Sequence, residues 1–302
     1  MRLRPAFLLL ALAGGCAARF PVDGERALAN VRHQVEAGPR IPGTPGHAAI
    51  ADWITAELAR FGATVERQAF VDTADGRALA LTNLIGHYGP RTAPRTIALV
   101  AHWDTRPWCD QDPDSAHRAD PLPGANDGGS GVAVLLEVAA ALQKRAPAVQ
   151  VELVFVDGED QARPGAPNEY CLGARAYAAK LRARPAAERP VAAFVFDMVG
   201  DRDLSIAPEV NSFERAANLA SLGVEGARAT GGKHFSALPR YTLVDDHIPL
   251  LEAGIPAVDI IDFDYPAWHT HLDRPDQVSA ASLAEVANVA LWLVYRSPLG
   301  HP

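Results

Sequence analysis

Cysteine is scarce. There are three in 302 residues, at positions 16, 109 and 171, and no C-x-x-C pair occurs. That excludes a disulfide framework and a structural zinc site built on paired thiolates. Runs of lysine and arginine are also missing, and the formal net charge is -8, so nothing is arranged to neutralise the phosphates of a nucleic acid. No G-x-S-x-G turn is present, which argues against a serine hydrolase of the nucleophile-elbow kind. Gly128-Gly129-Ser130-Gly131 lacks both the G-x-G-x-x-G spacing and a following Lys-Ser/Thr, so it is not a phosphate cradle; its glycines let the backbone turn tightly into a helix beside Asp127. No internal repeat or low-complexity tract is visible. What remains is an ordinary globular composition, 48% hydrophobic and 21% charged, at a length that suits one large α/β domain.

The first residues differ from the rest. Arg2 and Arg4 form a basic start, Pro5 to Ala13 a short apolar stretch, and Gly14-Gly15-Cys16-Ala17-Ala18 a run of small residues. A bilayer span needs about 20 apolar residues, so residues 1–18 read as an export signal rather than a membrane helix. Small residues before Cys16 also fit a lipoprotein signal, in which that cysteine becomes the lipidated first residue. The expectation is an exported protein, either periplasmic or anchored to a membrane through Cys16, with residues 19–302 as one catalytic domain. Export permits a Cys109–Cys171 disulfide, and two independent thiols are the alternative.

Apolar residues three and four apart predict helices over 24–37 and 46–61, separated by the Pro/Gly-rich loop 38–45. Strands are expected at Thr64–Phe70, Ala80–Ile85 and 96–101. Beyond a long Asp- and Pro-rich loop, 103–128, come helix 129–145, strand 151–156, helix 170–182 and strand 191–196. Helices at 211–221 and 247–253, strand 256–261 and a final helix at 280–295 complete the reading. Strands alternating with helices predict an α/β fold, a mostly parallel central sheet with helices on both faces.

Polar residues gather just after these strands: His102-Trp103-Asp104, Asn126-Asp127, Asp157-Gly158-Glu159-Asp160, Asp197 and Trp268-His269. A lone Asp there is usually a helix cap or turn former. Recurrence changes the weighing, because the carboxyl ends of neighbouring parallel strands converge on one crevice. Several buried carboxylates need a cation or a shared proton. Carboxylate and imidazole ligands suit zinc: Asp127, Asp160 and His269 could supply three ligands and leave a fourth position open. His102 and Asp197 could complete a second metal site sharing Asp127. Asp110, Asp112 and Asp114 imitate the start of a calcium loop, but Ser115 stands where its Gly belongs and Pro121 where its Glu belongs. His33, His47, His87, His117 and His234 read as surface or structural residues.

The order of these motifs (HWD, NDGGSG, GED, a strand-end Asp, DH, HT) resembles the zinc aminopeptidase family built on an α/β sandwich. Three details resemble the animal-type glutaminyl-peptide cyclotransferases and their bacterial relatives more closely. They are the paired acids of Val244-Asp245-Asp246-His247, Trp268 directly before His269, and the AHWDTRPWCDQDPD and FDMVG segments. The resemblance implies one zinc held by Asp127, Asp160 and His269, with Glu159 as proton shuttle. It further implies Asp197 and Asp245 as a hydrogen-bonded acid pair, and Trp268 as a wall of the substrate pocket. The substrates it implies are peptides or proteins beginning with Gln, converted to pyroglutamate. Asp160 departs from the family's usual Glu; its side chain is one methylene shorter, so the backbone there must come closer to the metal. A zinc aminopeptidase using Glu159 to activate a metal-bound water, and an inactive binding protein on the same fold, are the competing expectations.

Overall fold

The structure, a computed structural model, describes residues 20–301. The export-signal and Cys16 expectations fall on residues 1–18 and lie outside the described residues. Seven strands form one sheet in the order β1-β2-β4-β3-β5-β7-β6. They are β1 (Thr64–Ala74), β2 (Arg77–Tyr88), β3 (Thr96–His102), β4 (Gln150–Val156), β5 (Ala192–Asp197), β6 (Ala207–Pro208) and β7 (Ala257–Ile261). The four central strands, β4, β3, β5 and β7, are parallel, while β1, β2 and β6 add antiparallel edges. Strands β3, β5 and β7 are buried along their whole length, which is why they read as unbroken apolar runs.

Helices α1 (Gly24–Glu36), α2 (Pro45–Arg60), α3 (Gly129–Lys144), α4 (Leu172–Ala183), α5 (Val210–Arg215), α6 (Ala217–Thr230), α7 (His247–Glu252) and α8 (Ala280–Tyr295) cover the sheet. Helices α1, α3 and α8 pack against one another, and α4 and α7 form a second group against the strands. No helix among the described residues is long and apolar enough to cross a membrane.

Three details differ from the expectation. Strands β1 and β2 run several residues further than their apolar cores, to a two-residue turn at Asp75-Gly76 with Ala74 opposite Arg77. Both turn residues have positive φ, 49° and 68°, the conformation that Asp-Gly adopts most readily in a tight hairpin. The helix expected at 211–221 is two helices, broken at Ala216 (φ -142°), and the second continues to Thr230. Gly223 and Gly226 weaken the helical signal there. Gly226 is present because α6 lies close on α8: a Cβ on it would stand 2.9 Å from the Trp292 ring. The two-residue edge strand β6 contains a proline, and its pairing is set entirely by β7.

Candidate metal centre and active site

The carboxyl ends of the parallel strands carry the chemistry. His102 ends β3, Asp197 ends β5, and Glu159 and Asp160 follow β4. Asp127 lies just before α3, Asp245 just before α7, and Trp268-His269 in the connection from β7 to α8. All except His102 line one cavity of about 490 Å³.

Local hydrogen bonds explain why each acid sits where it does. Gly128 has φ +78°, and a Cβ on it would lie 2.9 Å from both the Asp104 carbonyl and the His102 ring. Only glycine lets the Asp127 turn approach β3 so closely. Asn126 Oδ1 accepts from the Gly200 amide (2.8 Å) and Ser130 Oγ from the Val199 amide (3.0 Å), tying the turn to the end of β5. The buried Asp273 carboxylate accepts from the amides of Asn126 (2.8 Å) and Asp127 (3.2 Å). Burial and the nearby Asp127 raise Asp273 to about 7, against those amides. Asp104 accepts from the Glu159 amide (3.0 Å), the Asp160 amide (3.2 Å) and Gln161 Nε2 (2.9 Å), setting the turn that carries both acids.

Arg40, which sequence reasoning passed over as part of a fixed loop, is fully buried. It donates to the carbonyls of Trp103 (2.8 Å), Gly124 (2.7 Å), Pro123 (3.3 Å) and Asp127 (3.4 Å). One guanidinium thus holds both ends of the 103–128 loop. Burial lowers it to about 10, with Asp273, Asp104 and Asp127 working in the opposite direction. Arg40→Met leaves those carbonyls without a donor and is expected to cost about 3 kcal/mol, read as a lower urea midpoint. Unchanged unfolding would show that the loop is held by other contacts.

Asp127 stands between two clusters. Its Oδ1 is 3.2 Å from His102 Nε2, which is itself 3.1 Å from Asp197 Oδ1. Its Oδ2 is 3.6 Å from His269 Nε2, and that nitrogen is 3.3 Å from Asp160 Oδ2. The atoms of Asp127, Asp160 and His269 all lie within 4.8 Å of one another, as do those of His102, Asp127 and Asp197. Zinc bonds of about 2.0 Å in a tetrahedron put neighbouring ligand atoms about 3.3 Å apart, a spacing that both sets have. Asp160 Oδ2 is buried and has no hydrogen-bond partner, as a vacant ligand atom would be.

Two arrangements were not foreseen. Arg106 is buried and bonds both to Asp160 Oδ1 and to Asp110. Nor do Asp197 and Asp245 form the expected hydrogen-bonded pair: Asp197 bonds to His102 Nε2 (3.1 Å), and Asp245 Oδ1 accepts from the Asp246 amide. An imidazole N–H is a better partner for Asp197 than a second carboxylate, which adds repulsion. Burial, with Asp245 contributing, raises Asp197 to about 7 even though His102 opposes it.

Burial, then the Asp160 charge, holds Glu159 well above the usual carboxylate range. The Cys171 thiol lies 3.6 Å from its Oε1. Trp268 stacks on His269 (4.0 Å between ring centres) and Phe263 leans on Trp268 at 4.9 Å. With Ile261, Leu243 and Met198 these rings make the apolar side of the cavity. His269 and Met198 both have positive φ, 54° and 46°, a strained backbone of the kind found at functional sites.

The remaining residues have other partners. Cys109 and Cys171 are separate, buried free thiols. His47 is buried, stacked on Trp103 and paired with Asp157 at 3.0 Å. Asp112 accepts from the His271 amide (2.8 Å) and Asp114 from the Ala116 amide (2.9 Å), so the calcium-like acids face local donors.

The model of peptidase family M28 matches residues 83–294. The chain belongs to this family. A glutaminyl cyclase of Bacteroides thetaiotaomicron, solved with N-acetylhistamine bound, is 33% identical and superposes with a TM-score of 0.87, over 93% of this chain and 100% of that one. A Zn-dependent exopeptidase of Parabacteroides distasonis is similar to the same degree, with the same identity, TM-score and coverage. The glutaminyl-peptide cyclotransferase-like protein of Bos taurus is 26% identical over 259 residues, 78% of this chain and 66% of that protein. Within the M28 family, then, the resemblance to animal and bacterial glutaminyl cyclases holds, and so does the α/β sandwich.

Proposed function

We propose that this M28 chain is a zinc-dependent glutaminyl-peptide cyclotransferase that turns an N-terminal glutamine into pyroglutamate. The observation that carries this reading is the half-buried Glu159 carboxyl beside a complete Asp127–Asp160–His269 ligand set, in a cavity lined by Trp268 and Phe263. Zinc held by those three residues supplies a Lewis acid to the γ-amide carbonyl of the substrate.

This chain's own groups perform the proton movements. As the α-amine nitrogen bonds to the carbonyl carbon of the γ-amide, Glu159 takes the amine proton. When the amide C–N bond breaks, Glu159 returns that proton to the departing ammonia. Its raised proton affinity brings it nearer to the amine it serves. Asp197 and Asp245, which line the same cavity, face the α-amine and hold it toward the γ-amide carbonyl carbon. Trp268 and its apolar neighbours exclude water and favour the folded, five-membered arrangement of the glutamine side chain. The partners are peptides or proteins that begin with Gln. Residues 1–18, read as an export or lipoprotein signal, support a periplasmic or membrane-anchored location.

A second reading, a zinc aminopeptidase, draws on the complete His102–Asp127–Asp197 cluster, where a second metal would sit. Incubating zinc-loaded protein with a Gln-initiated and a Leu-initiated peptide separates the two by mass spectrometry. Loss of one ammonia from the first peptide, with the second intact, is the expected result. Release of leucine would replace the cyclase reading with the peptidase, and no change in either would favour a binding protein.

A further inference from the structure

Arg106 has no part in the reaction as described, yet it is the most buried cation at the cavity. Its side chain is about 1% exposed, against 20% for Asp110 and 3% for Asp160. The guanidinium is shared between two acids. Nε lies 2.7 Å from Asp110 Oδ1 and one terminal nitrogen 3.1 Å from Asp110 Oδ2, a two-pronged contact. The other terminal nitrogen bonds to Asp160 Oδ1. Asp110 Oδ1 in turn lies 3.3 Å from His269 Nδ1.

The contacts close a ring, Asp160–Arg106–Asp110–His269, around one side of the metal position. We infer that Arg106 and Asp110 are positioning residues for the metal, fixing which atom each of two ligands presents. The inference rests on the zinc reading above and extends it to residues outside the ligand set.

The chemistry follows atom by atom. The Asp110 carboxylate stands 3.3 Å from Nδ1 without the alignment of a hydrogen bond, and its charge favours the His269 tautomer that carries its proton there, which leaves Nε2 as the ligand atom. Nε2 is the nitrogen 3.3 Å from Asp160 Oδ2. Arg106 occupies Asp160 Oδ1, so Asp160 offers the metal Oδ2 alone, the oxygen that has no hydrogen-bond partner. A free carboxylate can bind a metal through both oxygens; one held by a guanidinium binds through one. The arrangement also suits a ligand as short as Asp160, whose carboxylate has little freedom to turn by itself.

The test uses the full protein, with zinc and cobalt(II) as probes. Asp110→Ala should raise the zinc dissociation constant about 10–100-fold, measured by chelator competition, and Asp110→Asn, which keeps an oxygen acceptor beside Nδ1, should recover most of it. Arg106→Gln frees Asp160 Oδ1. Its cobalt(II) form should lose visible absorption intensity as the metal gains a fifth ligand atom. If that variant does not fold, Arg106→Lys keeps the charge but cannot span both acids, and the same spectral change is expected.

Wild-type zinc affinity in Asp110→Ala together with a wild-type cobalt spectrum in the Arg106 variant would overturn the inference, even if both variants melted earlier. Such a result would leave the ring as a loop fastener. Failure of the wild-type protein to bind zinc at all would instead remove the zinc reading, and the positioning role with it.

Discussion

Glu159→Gln is expected to lower cyclisation of a Gln-initiated peptide by about 10²–10⁴-fold, the usual worth of a positioned general acid–base, while zinc content stays at the wild-type level. The amide is nearly the same size as the carboxyl, and the backbone amide of residue 159 keeps its bond to Asp104 (3.0 Å), so the turn that places Asp160 survives. What is lost is a group that can take a proton from the α-amine and give it to ammonia. Turnover and metal content are measured on the same preparation. Wild-type turnover in this variant would remove Glu159 from the mechanism. Loss of both turnover and zinc would show that the residue acts through the metal site.

His269→Ala is expected to weaken zinc binding by more than about 100-fold, beyond what outer partners alone contribute, because Nε2 is the only nitrogen in the Asp127–Asp160–His269 set. Full occupancy in that variant would mean that the ligand set is wrong. The same residue makes zinc affinity depend on pH. In the metal-free protein burial disfavours the imidazolium, but Asp160, Asp110 and Asp127 outweigh it and raise His269 to about 9. Zinc needs the neutral ring, so below about pH 9 each bound zinc must displace a proton, and apparent affinity should fall about tenfold per pH unit as pH is lowered. Chelator competition at two pH values gives the slope. His102, held well above its ordinary value by Asp197, Asp104 and Asp127 against burial, would release a further proton only if a second zinc entered the neighbouring cluster. Protons released per chain therefore also separate one metal from two.

Much of the scaffold is legible in the order of residues because it rests on local regularity. The final helix matches its expected limits, Ala280–Tyr295, and TIALVA becomes β3 up to its last residue, His102, since a strand buried on both faces must be apolar nearly throughout. Where glycine or proline interrupts a pattern, local reading stops too early, as at Gly223 and Gly226 in α6. There the closeness of α8 decides, and that is a contact between elements distant in the chain.

The site divides along the same line. Asp127, Asp160, His269, Glu159 and Asp197 could be picked out because each follows or adjoins an element end, and parallel strands bring such ends together; Asp245 came from the family resemblance alone. Arg40, Arg106, Asp110 and Asp273 could not. Arg40 lies in a Pro/Gly loop, and its four acceptors belong to residues 103–127; Arg106 and Asp110 sit in a loop that resembled a broken calcium motif. By itself the sequence determined the kind of sheet, the edge at which chemistry collects and the acids and imidazoles that meet there, because these depend on periodicity and on where strands end. Only the tertiary structure decided which oxygen of Asp160 is free, that Asp197 faces His102 rather than Asp245, and which buried cations hold the acids apart. Those outcomes depend on angstrom-scale approach between segments tens of residues apart, where burial multiplies the cost of every unpaired charge.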